Sequence, residues 1–353
     1  MSIRLVSSDL SDLRGLRMPA EGSPHERTLI AFPCRKDFWR DRLRQGQLAW
    51  SHVARTIAEY EPVTMLARPE DLELAADLCA HPNVNVVGIP LDDAWLRDCA
   101  PIYVTGHDVD ATPRRVAVDF GFNGWGEKFV PFDTDDQVPR RLTELAGHDT
   151  VHVPMILEGG SITVDGEGTL ITTEQCLLNM NRNPDLTRRE IEHVLESSLG
   201  VEKVIWIPYS IDDRDTDGHI DLVAMFIDGG RVLWQNCSDK SDPEYERLAI
   251  SRRCLVGTED ARGRPLELVE LPVLPYCEVA GERFPVPYCN LYLCNGAVIV
   301  PITGHEADTD MLDIIASCYP GRDVVGVPGD IIAYGGGGPH CMTQQVPVFP
   351  SPP

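Results

Sequence analysis

Ser161-Ile-Thr-Val-Asp-Gly-Glu-Gly-Thr-Leu-Ile-Thr-Thr173, read on through Asp185–Ser198 to Val204-Ile-Trp-Ile-Pro208, spells two short apolar strands, a helix and a third strand. The strands meet at Asp165-Gly166, a pair that accepts the positive φ of a tight hairpin turn and is a strong short-range hairpin signal. The unit recurs. His219–Ile227, Asp228-Gly229, Val232–Gln235, a helix over Pro243–Leu255 and Leu266–Leu271 make a second copy. Asn290–Leu293, Asn295-Gly296, Val298–Pro301, a helix over Asp308–Cys318 and Val324–Val327 make a third. Ile102–Val104, Val116–Asp119 and Val151–Val153 form a less regular fourth. Upstream, strand Thr28–Pro33, helix Gln45–Tyr60, strand Val63–Leu66, helix Glu70–Ala80 and strand Val84–Ile89 alternate in α/β fashion. A fifth unit would join the C-terminal segment to that first strand and close a ring. The repetition predicts one α/β domain over residues 1–353, a five-bladed pseudo-symmetric propeller of ββαβ units.

The polar residues that stand out fall at equivalent places, just before the hairpins: Asp98, Glu158, and the pair His219 and Asp221. Cys341 leads into the closing segment, behind the glycine run Gly335–Gly338. In a ring, these residues converge. Glycines let a backbone approach a ligand closely, and backbone N–H groups aimed at a thiol would lower its pKa. His219 and Asp221, two apart in a strand, would share one face. Each feature has a plainer reading: a flexible loop, a buried thiol, an Arg97–Asp98 ion pair, a turn cap at Glu158, a structural histidine. Together, one thiol, one imidazole and three carboxylates suit nucleophilic work on a cationic electrophile.

Composition agrees. Lys+Arg 31 against Asp+Glu 55 gives a net charge of −24, which disfavours nucleic acid and anionic membranes and favours cationic ligands, although acidity also serves solubility. The N-terminal stretch carries no apolar export signal, and no run reaches the length of a membrane span, so the cytoplasm is expected. The 11 cysteines include no CxxC pair, which indicates neither a disulfide framework nor a thiolate zinc site.

The motifs Met18-Pro-Ala-Glu-Gly-Ser-Pro-His25, Trp95-Leu-Arg-Asp98, Leu157-Glu-Gly-Gly-Ser161, Thr173-Glu-Gln-Cys-Leu-Leu178, Asn181-Arg-Asn-Pro184, Gly218-His-Ile-Asp221 and Gly335-Gly-Gly-Gly-Pro-His-Cys-Met-Thr-Gln-Gln345 occur in one order along nearly the whole chain. In this the chain resembles the agmatine deiminase and bacterial-type peptidylarginine deiminase family of the guanidino-group modifying superfamily, whose pentein-type fold is a five-bladed α/β-propeller. The resemblance implies Cys341 as nucleophile, His219 as general acid and then base, and Glu158 as the carboxylate that orients His219. It implies Asp98 and Asp221 as the grip on the guanidinium, with Trp95 nearby, and neither metal nor cofactor. A homodimer is ordinary for the family. Agmatine is the expected substrate, another small guanidino compound the next candidate, and peptidyl-arginine less favoured because those enzymes are typically exported. Departures lie around the pocket: Gly22-Ser23 replaces Trp-Glu, Asp217 precedes Gly218, Leu222 follows Asp221, and Gly338-Pro339 precedes His340. The acidic run Asp212–Asp217 is expected to be a solvated loop, or to meet the substrate's far amine through Asp217. Two rivals remain. One is a metal ureohydrolase using His219, Asp221, His305, Glu306 and Asp308; the other is a guanidine-binding protein, for which Cys341 is superfluous.

Overall fold

The computed structural model describes residues 6–108 and 110–351. Met1–Leu5, part of the stretch read for an export signal, lie outside them. The three hairpin-bearing units form as the turn signals predict. Ile162–Val164 pairs antiparallel with Thr169–Thr173, which pairs parallel with Lys203–Ile207. Helix Arg188–Leu199 makes the crossover that a parallel pair requires. It begins at a capping box, with Thr187 bonded to the Glu190 N–H and Glu190 reaching back, and stops at Gly200, whose φ of 67° ends the helix. Ile191, Leu195 and Leu199 face the sheet; each contributes about 2 kcal/mol by burial, and Leu195→Ala is expected to cost about 2–5 kcal/mol.

Ala224–Asp228, Arg231–Gln235, helix Glu244–Leu255 and Glu267–Leu271 repeat this order. So do Tyr292–Cys294, Ala297–Ile302, helix Asp308–Cys318 and Asp323–Pro328. Ile102–His107, Pro113–Gly121, helix Val138–Ala146 and Asp149–Ile156 form the less regular unit, extended at its edges by Val6–Ser7 and Leu16–Arg17. In the last, Thr343–Pro347 pairs antiparallel with His25–Ala31, which runs parallel to Val63–Ala67 and on to Val84–Gly88. The two ends of the chain therefore share one sheet, and Cys341 is pinned two residues before the strand that joins them.

Two local expectations change. His219–Leu222 is not strand: His219 caps a 3-10 turn over Ile220–Leu222, and the strand starts at Ala224. Positive φ at Asp217 and Gly218 bends the chain before the sheet begins, so strand alternation is not what brings His219 and Asp221 together. An extra hairpin, Tyr276–Val279 with Glu282–Pro285, turns at Ala280-Gly281 and stands outside the repeat. The fold is mixed α/β, and among the described residues no helix is long and apolar enough to cross a membrane.

Candidate active site

Each sheet unit delivers polar groups from the turn that precedes its first strand. Helix Leu96–Cys99 carries Asp98, Glu158 caps the turn Gly159–Ser161, and His219 and Asp221 flank Ile220. Asn290 precedes Tyr292–Cys294, and Cys341 precedes Thr343–Pro347. All six side chains are buried. Glycine makes room for them. A methyl on Gly160 would lie 2.5 Å from His219 Nδ1, 2.9 Å from Asp98 Oδ1 and 3.1 Å from Asp221 Oδ2. One on Gly337 would lie 2.9 Å from Cys341 Sγ and 2.8 Å from the Trp95 ring.

The thiol of Cys341 points at Asp221 Oδ2, 3.3 Å away, while Asn290 Nδ2 donates to its sulfur at 3.1 Å. Burial, then the charges of Asp221 and Asp98, push the Cys341 thiol well above its ordinary pKa. This corrects the expectation that the glycine loop would lower it: the contribution from Gly338 and Asn290 is outweighed by desolvation and two carboxylates. Cys341 is thereby held as the neutral thiol.

His219 is held by its backbone, whose N–H donates to Thr216 Oγ1 at 3.1 Å, and the preceding Gly218 carbonyl accepts from Thr173 Oγ1 at 2.8 Å. Its ring has no hydrogen-bond partner at either nitrogen. Burial opposes its protonation, but Asp98, with Oδ1 3.7 Å from Nδ1, then Cys176 and Glu158 outweigh it and raise the pKa to about 10. Glu158 does not hydrogen-bond His219. Its Oε1 accepts from Arg182 Nε at 2.6 Å, while Oε2 has no partner; the carboxylate comes within 4.8 Å of the imidazole and the Cys176 thiol. Asp98 accepts from the Gly160 N–H and from Trp125 Nε1, both at 2.9 Å. Arg97 is not its ion-pair partner; Arg97 NH1 lies 3.6 Å from Glu21 instead.

Above this floor a cleft opens, walled by Trp95, Trp125, Phe129 and Phe38, with Asp93, Asp98 and Asp215 as its charged lining. No Lys or Arg lines it among the described residues. Trp125 reaches in because Gly124, Trp125, Gly126 and Glu127 all take positive φ, a costly conformation for a tryptophan, of about 1–3 kcal/mol. Asp217 stands elsewhere than expected. Its oxygens are engaged by Lys128 Nζ and Arg182 NH1, each at 2.7 Å, and by Asn181 Nδ2 at 2.9 Å. Asp215, from the same acidic loop, lines the cleft in its place; burial and Asp213 raise its carboxyl to about 6 although it remains open to solvent. Asn290, Trp125 and Asp215 escape the sequence reading. Asn290 alone had a signal, since it occupies the same phase of the repeat as Asp98 and Glu158.

The ureohydrolase constellation does not assemble. Asp308 accepts from Tyr288 at 2.6 Å and from the Gly304 N–H at 2.8 Å. Among the described residues the group able to hold a metal ion is Glu158, Cys176 and His219, which includes neither His305 nor Asp308 and lies against the Arg182 guanidinium.

A profile of the Porphyromonas-type peptidyl-arginine deiminases matches residues 17–347. The chain belongs to this deiminase family. An agmatine deiminase of Stutzerimonas stutzeri (strain A1501) is 39% identical over 356 residues, covering 94% of this chain and 96% of that protein. The structure of the Enterococcus faecalis agmatine deiminase superposes with a TM-score of 0.91 at 33% identity, covering 98% of this chain and 99% of that one. A Cys-to-Ser variant of a C. jejuni agmatine deiminase with substrate bound does so with a TM-score of 0.85 at 28% identity, covering 95% and 97%.

Proposed function

We infer that this enzyme hydrolyses the guanidino group of agmatine, releasing ammonia and N-carbamoylputrescine. The carrying observation is the charge of the cleft: three aspartates and four aromatic rings, with no Lys or Arg in the lining. Such a lining suits a dication with an alkyl spacer. An α-carboxylate like that of arginine would lie toward Asp215 and find no cationic partner in this lining. The relatives named as agmatine deiminases support the same reading.

Asp98 and Asp221 grip the guanidinium nitrogens, placing the central carbon against Cys341. The bound cation offsets the two carboxylate charges that hold the thiol protonated, so substrate itself favours the thiolate. Asp221 Oδ2 and Asn290 Oδ1 both lie 3.3 Å from the sulfur, and of the two only the carboxylate can take the thiol proton. The sulfur then adds to the carbon. His219 gives a proton to one departing nitrogen, the C–N bond breaks, and ammonia leaves a cationic amidino-thioether. Neutral His219 next takes a proton from water as its oxygen adds to that carbon. The C–S bond breaks, Asp221 returns its proton to the sulfur, and the oxygen's second proton passes to solvent as the ureido group forms, where the released ammonia becomes ammonium. Glu158 and Arg182 hold His219 in a fixed electrostatic setting, and Trp95 and Trp125 exclude water and cover the cation. Asp215 reads the distal ammonium.

We further infer that residues 1–353 are one domain whose five sheet units close around an axis as the blades of a propeller. The support is that each unit sends a side chain into one site from the same place in its sequence. Free thiols at all eleven cysteines favour a reducing compartment, as in the cytoplasm.

Ammonia release from chelator-treated protein, offered agmatine, arginine, peptidyl-arginine and short guanidino acids beside Cys341→Ala, tests the reading. Agmatine turnover that the variant loses is expected. Cys341-dependent turnover of another guanidine alone would overturn the substrate, and turnover that survives in Cys341→Ala would overturn the mechanism.

A further inference from the structure

Met18-Pro-Ala-Glu21 takes no part in the chemistry above, yet Glu21 lies against the site. Both nitrogens of His340 face carboxylates: Nδ1 lies 2.8 Å from Asp221 Oδ2, and Nε2 lies 2.7 Å from Glu21 Oε1. Behind them Arg97 NH1 approaches the same Glu21 oxygen at 3.6 Å, and Arg97 Nε donates to the His340 carbonyl at 3.2 Å. Every one of these side chains is buried.

An ionised carboxylate only accepts hydrogen bonds, and a neutral imidazole donates from one nitrogen alone. Satisfying both contacts therefore requires an imidazolium between two carboxylates. Arg97, Glu21, His340 and Asp221 then alternate in sign and sum to zero, the arrangement in which buried charges can be retained. Three atoms of the network are buried without a partner, Glu21 Oε2, Arg97 NH2 and Asp221 Oδ1, and of these only Asp221 Oδ1 belongs to the carboxylate that faces the Cys341 thiol.

We propose that Glu21 and His340 are positioning residues for the deiminase reaction inferred above: they hold Asp221 ionised and turned so that Oδ2 faces the Cys341 thiol while Oδ1 stays free for the guanidinium. His340 and Glu21 touch neither substrate nor sulfur and act through Asp221. The other groups facing Asp221 are His219, Asp98, Cys341 and Cys289, and among them only His219 can share His340's task of favouring the anion. Burial works against ionisation of Asp221, and the hydrogen bond and charge of His340 reverse that, leaving its carboxyl below the ordinary range. Glu21 is likewise held down, to about 2, by His340 and Arg97 against burial.

Removing the imidazolium lets Asp221 protonate at higher pH. In Glu21→Gln and His340→Asn the acid limb of kcat/KM for agmatine is expected to move up by about one pH unit, an approximately tenfold loss just above the wild-type limb, recovering toward alkaline pH. The loss should fall on kcat more than on KM, with His340→Asn, which keeps a donor beside Asp221, the milder. A loss equal at every pH, or none, would overturn the proposal. Proton NMR of the wild-type protein decides independently of folding in the variants and of the substrate assignment. His340, assigned through its ring nitrogens, is expected to show two low-field N–H protons that persist to pH 8; the assignment matters because buried His25 also lies between two oxygens, Glu61 Oε1 at 3.2 Å and the Glu21 carbonyl at 2.9 Å, and because His219 is raised to about 10. If His340 does not show both, its imidazolium is absent and the proposal fails even where agmatine is hydrolysed.

Discussion

The floor of the cleft and its mouth are built on opposite terms. On the floor, Asp98, Glu158, His219, Asp221, Asn290 and Cys341 are buried and issue from turns clamped to the starts of strands. At the mouth, Phe38 and Phe129 are half-buried and Asp215 is exposed; Phe38 sits on the one-turn helix Lys36–Trp39, and the other two come from connections between elements. The floor also carries unsatisfied groups: both His219 nitrogens, Glu158 Oε2 and Asp221 Oδ1. An orphaned buried polar atom costs about 1–3 kcal/mol, so the fold gives up stability to keep these groups free for substrate. At the mouth, solvent can supply missing partners. Changes on the floor should therefore act on kcat by orders of magnitude, while changes at the mouth should act on KM by small factors.

The largest expected effect is at His219, which in the proposed mechanism both delivers and recovers the proton. His219→Gln should lower kcat about 10²–10⁴-fold with KM for agmatine nearly unchanged, read by steady-state ammonia release. If KM carries the loss instead, the imidazole binds substrate rather than moving protons, and the division between floor and mouth breaks. Gly160→Ala comes next. Gly160 has no left-handed backbone, so the substitution tests crowding alone: the methyl would meet His219, Asp98 and Asp221 at 2.5–3.1 Å. Displacing such groups by an ångström costs about 10²-fold in rate. An active Gly160→Ala enzyme with an unchanged melting temperature would show a floor more compliant than its burial implies.

The same division explains what could be read from sequence. Asp98, Glu158, His219, Asp221 and Cys341 were legible because a repeat fixes their phase and the hairpin turns announce it. Asn290 shares that phase but carries no chemical cue, being an amide outside any cluster of charged or nucleophilic groups. Trp125 had no periodic cue at all, since its approach depends on successive positive φ values from Gly124 to Glu127. In the acidic loop, composition could not choose among aspartates. The bend at Asp217-Gly218, with Lys128 and Arg182 arriving from distant segments, turns Asp217 away and leaves Asp215 at the cleft. The role of His340 was hidden for a related reason: its partners lie 119 and 319 residues away.

Asp215→Asn sharpens the comparison from the mouth. An exposed ion pair contributes about 0.2–1 kcal/mol, so KM for agmatine should rise up to about fivefold with kcat unchanged. An alkylguanidine lacking the distal amine should be indifferent to the substitution.

The smallest effect concerns pH. The Asp215 carboxyl is raised to about 6 by burial and by Asp213, against a lesser opposing influence of Lys128. Above that value it is ionised and attracts the distal ammonium; as pH falls through 6 it takes up a proton and the attraction is lost. KM for agmatine should therefore rise on the acid side, by no more than the factor seen for Asp215→Asn, and a bound ammonium should draw the transition lower because it favours the anion. The alkylguanidine should lack this step, and so should Asp215→Asn. If the step survives in Asp215→Asn, the titrating group is Asp93, the cleft aspartate buried beside Arg35 and also raised to about 6, and recognition of the amine then belongs to the protein's interior rather than to its mouth.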